Sequence, residues 1–135
     1  MIDVEAKKIT LIKNAFTTAE KVCPVYSTIP NKQPQMPCAY VYVKDSYPTT
    51  WNSSRQDVRE TVTINARVYS NKENGRKQEA KELAEIIDNA LRHDGWIRTL
   101  YQPMEYTDIN DSLVYSIMAE YVAEVDTDGC IYSRR

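Results

Sequence analysis

The stretch DVRETVTINARVYSNKENGRKQEAKELAEIIDNAL, residues 57–91, decides the fold. In its first half Val58, Val62, Ile64, Ala66 and Val68 occupy even positions, and Arg59, Thr61, Thr63, Asn65, Arg67 and Tyr69 fill the odd ones. Alternation with period two belongs to a β-strand with one face on a core and the other on water or a partner. A turn over Ser70 to Gly75 follows. Then Ala80, Leu83, Ala84, Ile87, Ala90 and Leu91 recur at helical spacing and make one apolar stripe. A long strand feeding an amphipathic helix with no catalytic group on either element is the frame for all that follows.

Working outward, residues 3–23 read as a helix, because Ile9, Ile12, Phe16, Ala19 and Cys23 fall three and four apart. Asp3 is positioned to cap its start and Pro24 to stop it. The segment 24–38 holds Pro24, Pro30, Pro34 and Pro37 and reads as a rigid connector; Pro34-x-x-Pro37 lacks the flanking basic residues of a polyproline ligand. Ala39 to Lys44 is a short β-rich strand. Asp45 to Gln56 reads as a polar loop in which Tyr47, Pro48 and Trp51 are embedded. The helix runs over about 74–92, with Ser70 or Asn74 as its cap and Gly95 as a left-handed stop. Trp96 to Tyr106 is a strand that Pro103 confines to an edge or a bulge. Thr107 to Asp111 is a turn, Ser112 to Val125 a strong strand, and residues 126–135 a polar, mobile tail.

This order predicts a single α+β domain of two layers. A four-stranded antiparallel or mixed sheet carries two amphipathic helices packed on one face. Phe16, Ile64, Val68, Leu83, Ile87 and Ile117 are expected to share its core.

Composition narrows the classes of function. At 135 residues and 42% hydrophobic content one globular domain is expected. A net charge of −2 disfavours strong nonspecific binding of nucleic acid. Ten tyrosines stand against one phenylalanine. Tyrosine suits both half-exposed strands and surfaces buried only on association. Three widely spaced cysteines, Cys23, Cys38 and Cys130, form neither a disulfide framework nor a zinc pattern, which fits a reducing cytosol. No signal peptide and no membrane-spanning run is expected.

The chemistry-bearing residues assemble no site. His93, the single histidine, sits where a helix ends and serves as a dipole partner. Asp126-Thr127-Asp128-Gly129 faintly resembles a calcium loop but lacks its later oxygen ligands. Glu79-Ala80-Lys81 resembles a nuclease element but lies in a helix, where residues two apart diverge. Three glycines, each near an element end, make no phosphate-cradling loop. No catalytic residue, cofactor or metal is expected. Arg55, Arg59 and Arg67 with Tyr69 on the polar strand face could meet nucleic acid by charge and stacking, or another protein; Asp57, Glu60 and the acidic total favour the protein.

The arrangement resembles the phage tail terminator family, the tail completion or minor tail proteins of the neck. The resemblance rests on the N-terminal helix, on Pro37-Cys38-Ala39-Tyr40-Val41-Tyr42-Val43 as a first strand, and on Thr63 to Ser70 as a hydrophobic strand ending in an aromatic-serine pair. It continues through the helix Arg76 to Leu91 and a closing strand Val114 to Val125, and so covers most of residues 1–125. It implies a non-enzymatic virion protein, assembled in the host bacterial cytoplasm, that caps the finished tail tube as a ring of six copies. Such a ring halts polymerisation and presents a surface to the head connector; its partners are itself, the tube protein and the connector, with DNA only passing through the lumen. A connector adaptor of the same neck, a small enzyme with a dispersed site and a nucleic-acid-binding module stand as alternatives. The residues expected at the protein interface are Tyr47, Trp51, Arg55, Arg59, Arg67 and Tyr69, with function concentrated in the loop 45–56.

Overall fold

A computed structural model describes residues 4–28, 35–51, 57–107, 111–126 and 130–131, with the side chains of all of these except 48–51, 57 and 58. The elements in chain order are α1 (Glu5–Thr18), β1 (Val25–Tyr26), β2 (Cys38–Trp51), β3 (Asp57–Ser70), α2 (Arg76–Asp94), β4 (Ile97–Thr107) and β5 (Leu113–Asp126). The strands form one mixed sheet in the order β1-β2-β3-β5-β4. The expected α+β class holds, with five strands rather than four. The extra strand, β1, lies in the proline-rich connector and pairs parallel to β2 through Val25 opposite Ala39 and Tyr26 opposite Tyr40. Two residues leave no periodicity to read, so the connector's prolines masked it.

The alternation in β3 produces the predicted core. Val62, Ile64, Ala66 and Val68 are buried on one face of the sheet, opposite Ala39, Val41, Ile117, Ala119, Tyr121 and Ala123 of the flanking strands. Ile12 and Phe16 of α1 and Leu83, Ile87 and Leu91 of α2 close over that face. Every member of the expected core set is at most 2% exposed. Two polar residues of β3 enter the covered face, Glu60 at one end and Ser70 at the other. Glu60 is 2% exposed and accepts a 2.8 Å hydrogen bond from the Ser46 hydroxyl. Its place in the register is the gap between Val58 and Val62 in the apolar series.

Helix ends differ from expectation for local reasons. α1 ends at Thr18, before Cys23 and Pro24, because Glu20 takes a left-handed conformation at φ 58°. Lys21 N–H then bonds to Phe16 C=O at 2.9 Å and Glu20 N–H to Thr17 C=O at 3.1 Å, a Schellman stop built without glycine. α2 starts after Gly75, at φ 102°, with no side-chain cap. The Ser70 hydroxyl donates instead to Glu79 at 2.7 Å, so neither Ser70 nor Asn74 caps the helix. Its end is the predicted one: Gly95 is left-handed, with Gly95 N–H on Arg92 C=O and Trp96 N–H on Leu91 C=O. Lys8 of α1 reaches across to Asp94 at 2.6 Å, and Trp96 Nε1 donates to the same carboxylate at 3.1 Å. These contacts lock α1, the end of α2 and the start of β4 together.

Two larger corrections bear on function. Residues 45–51 are not a loop. β2 continues to Trp51 and stays paired with β3, past register shifts after Val43 and Pro48, so the expected loop is the outer half of a long hairpin. Its polar composition hid this, because a strand without apolar alternation leaves no period to read. Within the segment expected as a tail, Cys130 and Ile131 lie back against the domain. Asp126 and Cys130 exchange backbone and side-chain bonds, Ile131 bridges to Val125, and Ile131 packs against the core beside Gly95. The proposed cap at Asp3 and the turn residues 108–110 lie outside the described residues.

Candidate interface: the uncovered sheet face and its edges

Both helices pack on one face, so the other face of the sheet is the surface left to examine. The register assigns to it Tyr40, Tyr42 and Tyr47 of β2, the odd positions Arg59 to Tyr69 of β3, Met118, Glu120 and Val122 of β5, and Ile97, Leu100 and Met104 of β4. Tyr40 and Tyr42, two apart on one strand, bring their rings to 4.8 Å between centroids. Arg67 lies opposite Tyr40, and its Nε donates to Asn65 at 3.3 Å. Burial opposes its charge, yet hydrogen bonds and favourable charge interactions with Tyr69 and Tyr42 outweigh that and raise its pKa. Lys44 crosses the face to Glu120 at 2.8 Å. The Lys44 charge is thus paired across the face, and the Arg67 charge is held by hydrogen bonds to neutral groups.

The residues singled out from sequence fall into two groups. Arg67 and Tyr69 are half-buried beside Tyr40 and Tyr42 at one end. Tyr47, 53% exposed, and Arg59 lie at the other, about 20 to 33 Å away along β3 at a rise of about 3.3 Å per residue. Trp51 is the last residue of β2, its backbone opposite Asp57. Its side chain, and all of Arg55, lie outside the described residues.

Sequence reading found β4 as a strand but not the apolar row it exposes. Ile97 is 70%, Leu100 36% and Met104 57% exposed, all from one face of an edge strand. The signal was present: apolar residues recur in a strand that Pro103 had already placed at the edge. A bulge between Arg98 and Leu100 puts Thr99 out of register, so the expected two-residue period was broken.

The helix side offers a shallow cleft of about 340 Å³ lined by Lys81, Ala84, Glu85, Asp88, Arg98 and Tyr101. Asp88 is saturated there. It accepts from the Tyr121 hydroxyl at 2.8 Å and from Arg98 at 3.2 Å, and pairs with Arg92 at 3.1 Å. Burial first, then this bond to Asp88, holds the Tyr121 phenol protonated far above its ordinary range. Such a carboxylate clamps α2, β4 and β5 together. Burial likewise pushes the Cys23 thiol up to about 12 and that of Cys38 to about 11, which makes both poor nucleophiles. His93 is exposed. Among the described residues no three His, Cys, Asp or Glu are placed to hold a metal, and no helix is long and apolar enough to cross a membrane.

The chain matches no protein-family model and no curated protein.

Proposed function

We propose that this protein is a structural subunit of a phage neck, which closes as a ring on the end of the tail tube, stops its growth and forms the joint to the head connector. The observation that carries the reading is the division of the sheet. One face is sealed by both helices, and the other presents tyrosines, an ion pair between Lys44 and Glu120, and a row of exposed apolar side chains on an edge strand. Aromatic anchors within a polar surround are the composition of protein-protein contacts. A net charge of −2 also suits a ring whose lumen passes DNA without holding it. The long β2–β3 hairpin supplies a stiff arm, as a loop could not, to reach a neighbouring subunit or the tube. A connector adaptor would use the same surface, and the two differ in which end they bind.

The test is electron microscopy of the purified protein mixed with its cognate tail tubes and, separately, with connector-bearing heads. Rings seated on tube ends are the expected result. Binding to heads with bare tube ends would make it an adaptor, and binding to neither would end the neck reading.

A further inference from the structure

The two edges of the sheet are unequal. On the β2 side, β1 covers Ala39 and Tyr40, Ala39 N–H bonds to Pro24 C=O at 2.8 Å, and the Glu5 carboxylate accepts the Val43 N–H at 3.0 Å. That edge is therefore closed from Ala39 to Val43. From Lys44 to Trp51 no strand among the described residues lies beside it. On the other side β4 pairs only with β5, and no strand among the described residues lies along its outer edge. Proteins protect such edges with charge. Here the strand's charges are drawn back onto its own domain, Arg98 to Asp88 at 3.2 Å and Glu105 to Arg76 at 3.5 Å. Row upon row of main-chain donors and acceptors, interrupted at Pro103, fits an extended strand and nothing else of comparable simplicity.

Strand directions identify the strand. β2, β3, β5 and β4 alternate, each antiparallel to its neighbour, so β4 runs opposite to β2. A second copy set down beside β4 in the same orientation, helices on the same side, brings its β2 antiparallel to β4. The unplugged part of that β2, Lys44 to Trp51, has as many residues as β4 from Leu100 to Thr107; register shifts after Val43, Pro48 and Thr50 bend it, and Pro48, like Pro103 on β4, lacks a donor. Exposed apolar groups meet as well: Tyr47 on the arm and Leu100 and Met104 on β4 all project from the uncovered face.

We propose that the outer edge of β4 takes the Lys44–Trp51 arm of a second copy as an added antiparallel strand, head to tail, with Tyr47 of one copy packed on Leu100 and Met104 of the next. Each copy then uses a different edge on each side, the kind of interface that closes into a ring. Closure of Ala39 to Val43 leaves only the arm free, so successive copies are stepped along the strand direction. This deepens the ring reading and rests on it for its biological role, but the pairing is testable by itself.

Tyr47→Cys and Met104→Cys are combined in a Cys130→Ser background, since Cys130 is the exposed native thiol and Cys23 and Cys38 are buried. Oxidative crosslinking of the concentrated full-length protein is expected to give a ladder of oligomers on a non-reducing gel, while neither single variant crosslinks. A dimer from Met104→Cys alone would mean that β4 pairs with itself, and no crosslink from the double variant would mean that the contact lies elsewhere; either overturns the proposal. Light scattering provides a check on protein without new cysteines: wild type is expected to gain mass with concentration and Leu100→Lys/Met104→Lys to stay monomeric. Equal association of the two would also overturn it. A ladder with uncapped tubes would leave the pairing standing and end the tail reading. Rings on tubes with no ladder from the tube-bound protein would do the reverse.

Discussion

The two faces of one sheet obey opposite rules although they are written in the same strands. On the covered face, alternate residues of β3 and β5 meet two helices and are excluded from water almost completely. On the uncovered face the flanking strands are open, with Tyr47 53%, Ile97 70% and Met104 57% exposed, while Asn65 and Ser116 at its centre are buried. The first face specifies the fold, since a one-residue slip would turn its side chains to water. At its exposed positions the second tolerates change at little cost to folding, and so is free to carry a partner. The difference separates stability from assembly and can be broken by substitution.

The largest effect belongs to the covered face. Leu83→Ala or Ile87→Ala, each side chain 2% exposed, should lower stability by about 2–5 kcal/mol in chemical denaturation. A loss under about 0.5 kcal/mol would misplace the core. Next comes the junction between α2 and β4. A Cβ at Gly95 would sit at φ 107° and 3.0 Å from Ile131 Cγ2, so Gly95→Ala should cost about 1–3 kcal/mol. Part of that cost should disappear in Gly95→Ala/Ile131→Ala if the Ile131 contact is its cause.

Alkali provides a third probe. The Cys23 and Cys38 thiols ionise near 9.0 when unfolded but only at about 12 and about 11 in the fold, chiefly because burial penalises the thiolate. A pKa raised by folding gives stability that is complete below the unfolded value and lost above it. The unfolding midpoint should therefore fall from about pH 9 upward, by about 1 kcal/mol for each thiol by about pH 10. Cys23→Ala should flatten that slope; an unchanged slope would assign it to other groups. The smallest effect has the opposite sign. Glu20, left-handed at φ 58°, occupies a position glycine fills without strain, so Glu20→Gly should stabilise by about 0.5–1 kcal/mol. A destabilised variant would mean that the Glu20 side chain contributes more than its backbone costs.

The same asymmetry explains what the sequence made legible. Val62 to Val68 and Leu83 to Leu91 face a core, and burial imposes a period that can be counted, so the class, both helices and four strands were readable. Where no core imposes a period, reading failed. The outer half of β2 is a strand because β3 pairs with it, a long-range fact that DSYPTTW does not contain. The two residues of β1 are strand only because β2 lies beside them. α1 ended early at Glu20, where local hydrogen bonds overrode a continuing apolar pattern. At the candidate interface, the aromatic Tyr47 and the Arg67–Tyr69 pair were visible as residue types. The exposed row on β4 was hidden by the bulge after Arg98 and emerges only when the register shows which side it faces.

The most direct test of assembly through the uncovered side is the length distribution of tails assembled with Leu100→Lys/Met104→Lys in place of wild type. The account predicts a variant within about 0.5 kcal/mol of wild-type stability, as expected of exposed positions, whose tails are irregular in length and fail to join heads. Tails of normal length, joined to heads, from a variant shown to be folded would contradict it.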